Sequence, residues 1–162
     1  AKFNFIRYPA DYKTFKNNLD TVFNDERIHL KLSTTWSIFN IFDFEEIFEE
    51  WEKLSRKVNG KFVMNHVLIS YPNYFNIKYL ELDQKLELAD KVNNYIQKNR
   101  NCKIFSDNPE FFQSFKSIPE YMGNQCDDHD AVCKERTRVL QIYDQLRGTD
   151  YKKLFPFIKD YI

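Results

Sequence analysis

The sequence predicts an α/β domain over residues 1–162, with a short parallel sheet in its first half and helices in its second half. In the first half, two strand-like apolar runs flank an amphipathic stretch, which is the order of a βαβ unit. A length of 162 residues suits one domain, and no repeat or Pro/Gly/Ser-rich linker divides the chain. The 16 Phe, 10 Tyr and 2 Trp residues supply ample apolar surface for a core.

The first two elements are predicted by the spacing of apolar residues. From Asp11 to Phe23 these residues recur at helical spacing, and Asp11 is placed to cap the helix. Alternation over Ile28–Ser33 predicts a strand. The polar run Ser33–Thr35 predicts the loop that follows this strand.

A second helix and a second strand complete the unit. The best helical pattern covers residues 43–58, with Asp43 at its start as in a capping box and Gly60 as its stop. The run Phe62–Ile69 is nearly continuous apolar sequence, which is typical of a strand covered on both faces. Together with the helix that follows, these elements predict a βαβα unit over residues 28–98, in which the strands run parallel.

Residues 106–162 predict a mainly helical C-terminal extension. Asp83 is placed to cap the helix that precedes this extension, and Cys102–Phe105 predicts a short strand between them. Asn108-Pro109 opens another helix, because Pro is favoured at the first helical position. The longest helix covers residues 128–147, and the glycine that follows it predicts its end.

Composition excludes several classes of function. Lys+Arg and Asp+Glu number 24 each, so the net charge is zero and nothing electrostatic points to nucleic acid or an anionic membrane. The glycines Gly60, Gly123 and Gly148 stand alone. A Walker loop, a dinucleotide fingerprint or a nucleophile elbow needs clustered glycines, so these are excluded. No apolar run is long enough to predict a transmembrane helix.

The start of the chain and its cysteines predict its compartment. The sequence begins at Ala1 without an initiator Met and without the apolar segment of a signal peptide, so we expect a processed chain or part of a longer one. Three cysteines are an odd number in a domain large enough to fold without disulfides. This count favours the reducing cytoplasm.

Two polar loops are the first candidates for a binding site. In parallel α/β folds, ligands bind where strands end, and the segments Ser33–Asn40 and Ser70–Asn76 follow the two predicted strands. Their hydroxyls, amides and aromatic rings suit a neutral, partly planar ligand. The same side chains can also cap the following helix and satisfy loop backbone, and the residues alone favour that simpler role.

The other reactive side chains have simpler structural explanations. Cys126-x2-His129-x3-Cys133 has the spacing of a partial zinc or iron site, but no fourth ligand is near, so buried or idle thiols are favoured and no metal ligand is predicted. His66 could act as a general base, although a hydrogen-bonded strand histidine is the simpler interpretation. The acidic residues within 43–52 fit the solvated face of a helix.

Four phrases, in order, resemble the second half of radical S-adenosylmethionine (radical SAM) enzymes, particularly the twitch-domain group. FIRYPADYKTFKNNLDTVF is similar to the helix after the fourth barrel strand of that group. LKLSTTWSIFNIFDFEEIFEEW resembles its fifth strand, loop and helix, with a polar T-x-S-x-x-N pattern at Thr35, Ser37 and Asn40. VLISYPNYFNIKYL resembles its sixth strand and Pro-bearing loop, and YDQLRGTDYKKLFPFI its closing segment. The resemblance covers nearly the whole chain.

The resemblance implies a partial, half TIM-like barrel and a site for S-adenosylmethionine. The residues that match its cofactor-binding positions are Ser33, Thr35, Ser37 and Asn40. We expect substrate contacts from Asn65, Ser70 and Asn73. The Cys-x3-Cys-x2-Cys motif that would ligate a [4Fe–4S] cluster is absent from this sequence, so the cluster is expected only in a longer parent protein. The chain alone is therefore expected to have no catalytic residues and no radical SAM activity.

A half barrel also predicts a partner. Its cut sheet leaves an exposed strand edge, which favours a homodimer, aggregation or pairing with a missing half. The alternative is a non-enzymatic α/β module whose aromatic loops contact protein partners. An upstream reading frame that encodes Cys-x3-Cys-x2-Cys would favour the enzyme fragment, and a Met codon directly before Ala1 would favour the module.

Overall fold

The computed structural model describes residues 1–23, 25, 27–58, 62–124, 126 and 128–161. The protein is mixed α/β and mostly helical. Its elements in chain order are α1 (Lys2–Ile6), α2 (Tyr12–Val22), β1 (Leu30–Trp36), α3 (Phe44–Ser55), β2 (Phe62–Leu68), α4 (Leu82–Asn99), α5 (Lys103–Asp107), α6 (Pro109–Lys116), α7 (Ile118–Gly123), α8 (His129–Arg147) and α9 (Tyr151–Leu154).

The two strands form a parallel sheet. Leu30 pairs with Phe62 at one end, and Trp36 pairs with Leu68 at the other. Helix α3 lies between the strands in the chain, so the predicted parallel βαβ order is confirmed. Because parallel strands end at the same edge of a sheet, the loops that follow β1 and β2 lie side by side.

Strand β1 continues through the polar run that the sequence predicted to be a loop. Ser33, Thr34 and Thr35 pair with residues 65–67 of β2, so the strand ends at Trp36. Threonine favours extended backbone, and the buried side chains of Thr34 and Trp36 hold the end of the strand against the core. The predicted end of the strand at Ser33 is therefore wrong.

The predicted strand at Cys102–Phe105 is also wrong, because these residues lead into the short helix α5. The Ser106 N–H donates to the Cys102 carbonyl at 3.0 Å, which is a helical turn. Ile104 and Phe105 are buried in the core from this turn. No strand of the described chain pairs with this segment, and the nearby edge of β2 bonds instead to the Asn108 side chain at Met64.

The predicted helix caps have mixed outcomes. Asp11 caps α2 as predicted, because its carboxylate accepts the N–H three residues later at 2.9 Å. Asp43 makes no side-chain cap, and its carboxylate instead pairs with the Lys2 ammonium at 2.7 Å. Glu81, rather than Asp83, is the N-cap residue of α4.

The predicted helix boundaries hold at two places. Helix α6 begins at Pro109 as expected. Helix α8 ends at Arg147, and Gly148 follows with a φ of 62°, the left-handed conformation that favours glycine. The stop predicted at Gly60 lies outside the described residues. None of the described helices has the length and hydrophobicity needed to cross a membrane.

Aromatic side chains dominate the core between the sheet and the helices. Phe48 of α3 lies near its centre and is 1% exposed. Ring centroids between 4.8 and 6.1 Å from Phe48 belong to Trp36, Phe44, Trp51, Tyr95, Phe105, Phe111 and Phe115. This packing fixes one face of the sheet against α3 and α6.

Candidate functional site

The helices cover one face of the sheet. On that face the Trp36 ring lies 5.9 Å from Phe48 of α3, and the His66 ring lies 5.4 Å from Phe111 of α6. On the opposite face Val67 is 51% exposed. The prediction that the second strand is covered on both faces is therefore wrong. Parallel strands are usually covered on both faces, so this arrangement is unusual.

The uncovered face, formed by Ser33, Thr35, Asn65 and Val67, is called the open strand face here. The strand register places Ser33 opposite Asn65 and Thr35 opposite Val67. Residues two apart on a strand share a face, so three of the predicted binding residues lie together. Within the described chain, the side chains of Ser33, Thr35 and Asn65 hydrogen-bond to no other residue. Their hydroxyl and amide groups are thus available to a ligand.

Ser37 and Asn40, also predicted to bind the cofactor, bond to each other in the loop after β1. Asn40 Oδ1 accepts the Ser37 N–H at 2.9 Å, and Asn40 Nδ2 donates to the Thr35 carbonyl at 3.0 Å. Ser37 Oγ accepts the Phe39 N–H at 3.3 Å and is part of a buried side chain. These bonds satisfy loop backbone groups, which is the simpler role considered for these residues.

Ser70 and Asn73, predicted to contact the substrate, lie in the loop after β2. Both residues are exposed. Their loop is joined to the loop after β1, because the Ile38 N–H donates to the Phe75 carbonyl at 3.0 Å. Both residues therefore stand at the carboxyl end of the sheet, next to the end of the open strand face.

The aromatic rings of these loops mostly belong to the core. Trp36, Phe39 and Phe75 are buried, whereas Tyr71 is 88% exposed. Tyr74 of the same loop is half-buried, so the loops present polar groups beside two tyrosines.

A side chain bonds to the backbone at each outer edge of the sheet. On β2, the Met64 N–H donates to Asn108 Oδ1 at 2.8 Å, and Asn108 Nδ2 donates to the Ile104 carbonyl at 3.0 Å. A side chain therefore occupies this edge of β2. Strand β1 pairs with β2 along one edge, and its other edge pairs with no strand in the described residues. On that outer edge the Thr35 carbonyl accepts a hydrogen bond from Asn40 Nδ2 at 3.0 Å.

His66 lies on the covered face, away from the candidate ligand positions. Its Nε2 is 2.6 Å from Ser114 Oγ on α6, and its buried Nδ1 has no partner within the described residues. Burial lowers the pKa of His66, so the ring is held neutral. The hydrogen-bonded strand histidine is confirmed, and its position does not suit a general base on the open strand face.

Of the motif Cys126-x2-His129-x3-Cys133, the structure brings His129 and Cys133 together. Cys133 is fully buried, and its Sγ lies 3.8 Å from the His129 ring nitrogens. Burial raises the pKa of the Cys133 thiol. Cys126 stands apart, with its Sγ donating to the Lys78 carbonyl at 3.6 Å. The carboxylate of Glu81 lies within 4.8 Å of the ligating atoms of His129 and Cys133. Sequence spacing gave no signal for Glu81, because only tertiary packing brings α4 to α8.

A shallow groove of about 360 Å³ lies elsewhere on the protein, lined by residues of α1, the end of α8 and α9. The Arg147 guanidinium lies 3.9 Å from the Tyr143 ring centroid and donates to the Phe5 carbonyl at 2.8 Å. These contacts anchor α1 to α8. None of the predicted binding residues lines this groove.

Comparisons with known proteins found no match among protein-family models, curated proteins or solved structures.

Proposed function

We propose that this chain is the carboxyl-terminal part of a parallel (β/α) barrel of the radical SAM type and forms one wall of its S-adenosylmethionine and substrate site. One observation carries the proposal: helices cover a single face of the parallel sheet, while the side chains of Ser33, Thr35 and Asn65 on the other face have no hydrogen-bond partner among the described residues. In a barrel, helices pack outside and the opposite strand face lines the interior.

The two strand edges agree with a place at the end of such a barrel. Asn108 bonds to the edge of β2 at Met64, and no strand of the described chain pairs with the outer edge of β1, where Asn40 bonds to the Thr35 carbonyl. A preceding strand would pair with β1. The parent protein would supply this strand together with the [4Fe–4S] cluster, because the present sequence has no Cys-x3-Cys-x2-Cys motif.

The polar groups of the open strand face fit a ligand with hydroxyl and amino-acid parts. Ser33 and Thr35 offer hydroxyls that donate and accept, and Asn65 offers both an amide donor and an acceptor. When bound, S-adenosylmethionine would supply the radical chemistry of the parent protein. This chain would hold and orient the cofactor and the substrate, and Ser70 and Asn73 at the end of the sheet would contact the substrate.

Ligand binding to the chain tests the proposal. A ligand that binds only the folded state raises the melting temperature, so S-adenosylmethionine should raise it in a concentration-dependent way. Asn65→Leu should abolish that rise. Asn93→Leu, on the exposed surface of α4, is the matched control and should keep it.

The reading frame upstream of Ala1 gives a second test. We expect it to encode a Cys-x3-Cys-x2-Cys segment, and the extended chain should bind S-adenosylmethionine more tightly than the present chain. An extended chain without that motif, or one that shows no binding to S-adenosylmethionine, would contradict the proposal.

The free edge of β1 also leads us to propose self-association of the chain when it is alone. Unpaired N–H and C=O groups on a strand edge template pairing with a second copy. Sedimentation should show dimers or larger species as the concentration rises. A compact monomer at high concentration would argue against a missing neighbouring strand.

The three cysteines carry free thiols, which supports assignment to the reducing cytoplasm. Export of the protein to an oxidising compartment with its thiols paired would contradict this assignment.

A further inference from the structure

We propose that Glu81, His129 and Cys133 form a binding site for one divalent transition-metal ion, with Zn²⁺ as the best match. Their ligating oxygen, nitrogen and sulfur atoms all lie within 4.8 Å of one another. The site joins the start of α4 to the first turns of α8. It is independent of the proposed function, because none of its residues lies on the open strand face.

The distances suit a tetrahedral ion. Cys133 Sγ lies 3.8 Å from both His129 Nδ1 and His129 Nε2. Bonds of about 2.3 Å to sulfur and about 2.1 Å to nitrogen, at a tetrahedral angle, separate the two donors by roughly 3.6 Å. The separation of sulfur and nitrogen is thus that of two ligands of one ion, and the carboxylate of Glu81 is within reach. Because the sulfur is equidistant from both ring nitrogens, the imidazole must turn to aim one of them at an ion held by Cys133.

The fold holds these three side chains in place. His129 and Cys133 are four residues apart on α8 and share one face of the helix. The Tyr161 hydroxyl donates to Glu81 Oε1 and orients the carboxylate. The centroid of the His129 ring lies 6.2 Å from that of Tyr79 and 6.0 Å from that of Tyr161. Outer contacts of this kind orient metal ligands in known sites.

The donor set selects the class of metal. A thiolate, an imidazole and a carboxylate suit Zn²⁺ and similar ions, whereas Ca²⁺ and Mg²⁺ prefer oxygen donors alone. The two anionic ligands balance the charge of a divalent ion. Cys133 is fully buried, whereas the His129 side chain is 29% exposed, so an ion can reach the site from the histidine side.

Three protein ligands leave a fourth position, which we assign to water. Cys126 lies near the start of α8 and falls outside the group of converging ligands. Its thiol donates to the Lys78 carbonyl at 3.6 Å, much as the Cys133 thiol donates to the Tyr79 carbonyl at 3.7 Å. Cys126 is therefore a matched control for Cys133. A cysteine that precedes α8 tests whether any thiol in this region would bind metal.

Cobalt binding tests the site in the full chain. Co²⁺ titrated into metal-free protein should bind at one equivalent, with a thiolate-to-cobalt charge-transfer band and the strong visible bands of a tetrahedral ion. Zn²⁺ should displace it. Cys133→Ser should remove the charge-transfer band, and Glu81→Gln and His129→Gln should weaken binding at least about tenfold, a loss that even outer-shell changes produce. Cys126→Ser should bind as the wild type does.

Three results would overturn the proposal. Wild-type protein in excess Co²⁺ could show no charge-transfer band, or the band could persist in Cys133→Ser and disappear in Cys126→Ser. The third is unchanged affinity in Glu81→Gln, which decides the matter if Cys133→Ser does not fold. Circular dichroism of each variant reports whether it is folded.

Discussion

Replacement of Asn108 tests how the edge of β2 is closed. Asn108→Ala is expected to lower the free energy of unfolding by about 2–6 kcal/mol, because it removes the side-chain partner of two buried backbone groups. These are the Met64 N–H, 2.8 Å from Asn108 Oδ1, and the Ile104 carbonyl, 3.0 Å from Asn108 Nδ2. Each unpaired group costs about 1–3 kcal/mol. Lost helix capping does not contribute, because the Asn108 side chain makes no cap to α6.

Urea unfolding followed by circular dichroism measures this change. A domain stability of about 5–15 kcal/mol leaves the variant folded in water, so both midpoints can be observed. The control is Asn93→Ala on the exposed surface of α4, which should stay within about 0.5 kcal/mol of the wild type. Hydrogen exchange gives a local readout, because the Met64 amide should lose protection in Asn108→Ala.

The isosteric variant Asn108→Asp separates the two bonds. It keeps an acceptor for the Met64 N–H but turns an anionic oxygen towards the Ile104 carbonyl. Burial raises the pKa of such a carboxyl above its unfolded value of about 3.9. The folded variant then binds more protons than the unfolded one, so its destabilisation should shrink as the pH falls. An Asn108→Ala variant with wild-type stability and an unchanged Met64 exchange rate would refute this account of the edge.

Three further predictions concern the core and a helix end. Burial lowers the pKa of His66, so below about pH 6.5 the unfolded chain binds a proton at this histidine more readily than the folded chain does. The free energy of unfolding of the wild type, measured by urea titration, should therefore fall more between pH 7.5 and 5.5 than that of His66→Phe. Phe48→Ala should lower the free energy of unfolding by about 3–5 kcal/mol, whereas Phe15→Ala, at a site 43% exposed, should lower it by less than about 1 kcal/mol. Equal shifts in melting temperature for the two variants would contradict the core described above. Gly148→Ala should lower the free energy of unfolding by about 1 kcal/mol because of the φ of 62° alone, since no atom of the described residues lies within 4 Å of an added Cβ. Gly148→Asn should lower it by less, as measured by urea unfolding.

Local sequence patterns predicted correctly those elements whose packing in the fold favours the same structure as their own residues do. Helix α8 and its glycine stop follow from apolar spacing, and the parallel pairing of β1 and β2 follows from the order of the elements. The strand predicted at Cys102–Phe105 is wrong because a strand needs another strand to pair with, and in the described chain the nearby edge of β2 bonds to the Asn108 side chain instead. At Ser33–Thr35 the error is the opposite one: the polar residues predict a loop, but they pair with β2 as part of a strand. Strand pairing outweighs the loop preference of these polar side chains.

Longer-range contacts were beyond local patterns. The carboxylate of Asp43 has the position of a cap but pairs with Lys2 of α1, which lies far from it in the sequence. Glu81 meets His129 in the same way, across helices that the sequence does not show to be neighbours. Such partners depend on how the helices pack, and no spacing rule within one element contains that information.

The predicted cofactor residues divide into two groups with different consequences. Ser33 and Thr35 lie on the open strand face, and their hydroxyls bond to no residue that the structure describes, whereas Ser37 and Asn40 bond to each other and to the loop backbone. Alternation along a strand shows which residues share a face, but only the packing of α3 and α6 decides which face is covered. Loss of a hydroxyl from the first group should therefore weaken ligand binding with little effect on stability, whereas Asn40→Ala should destabilise the loop first.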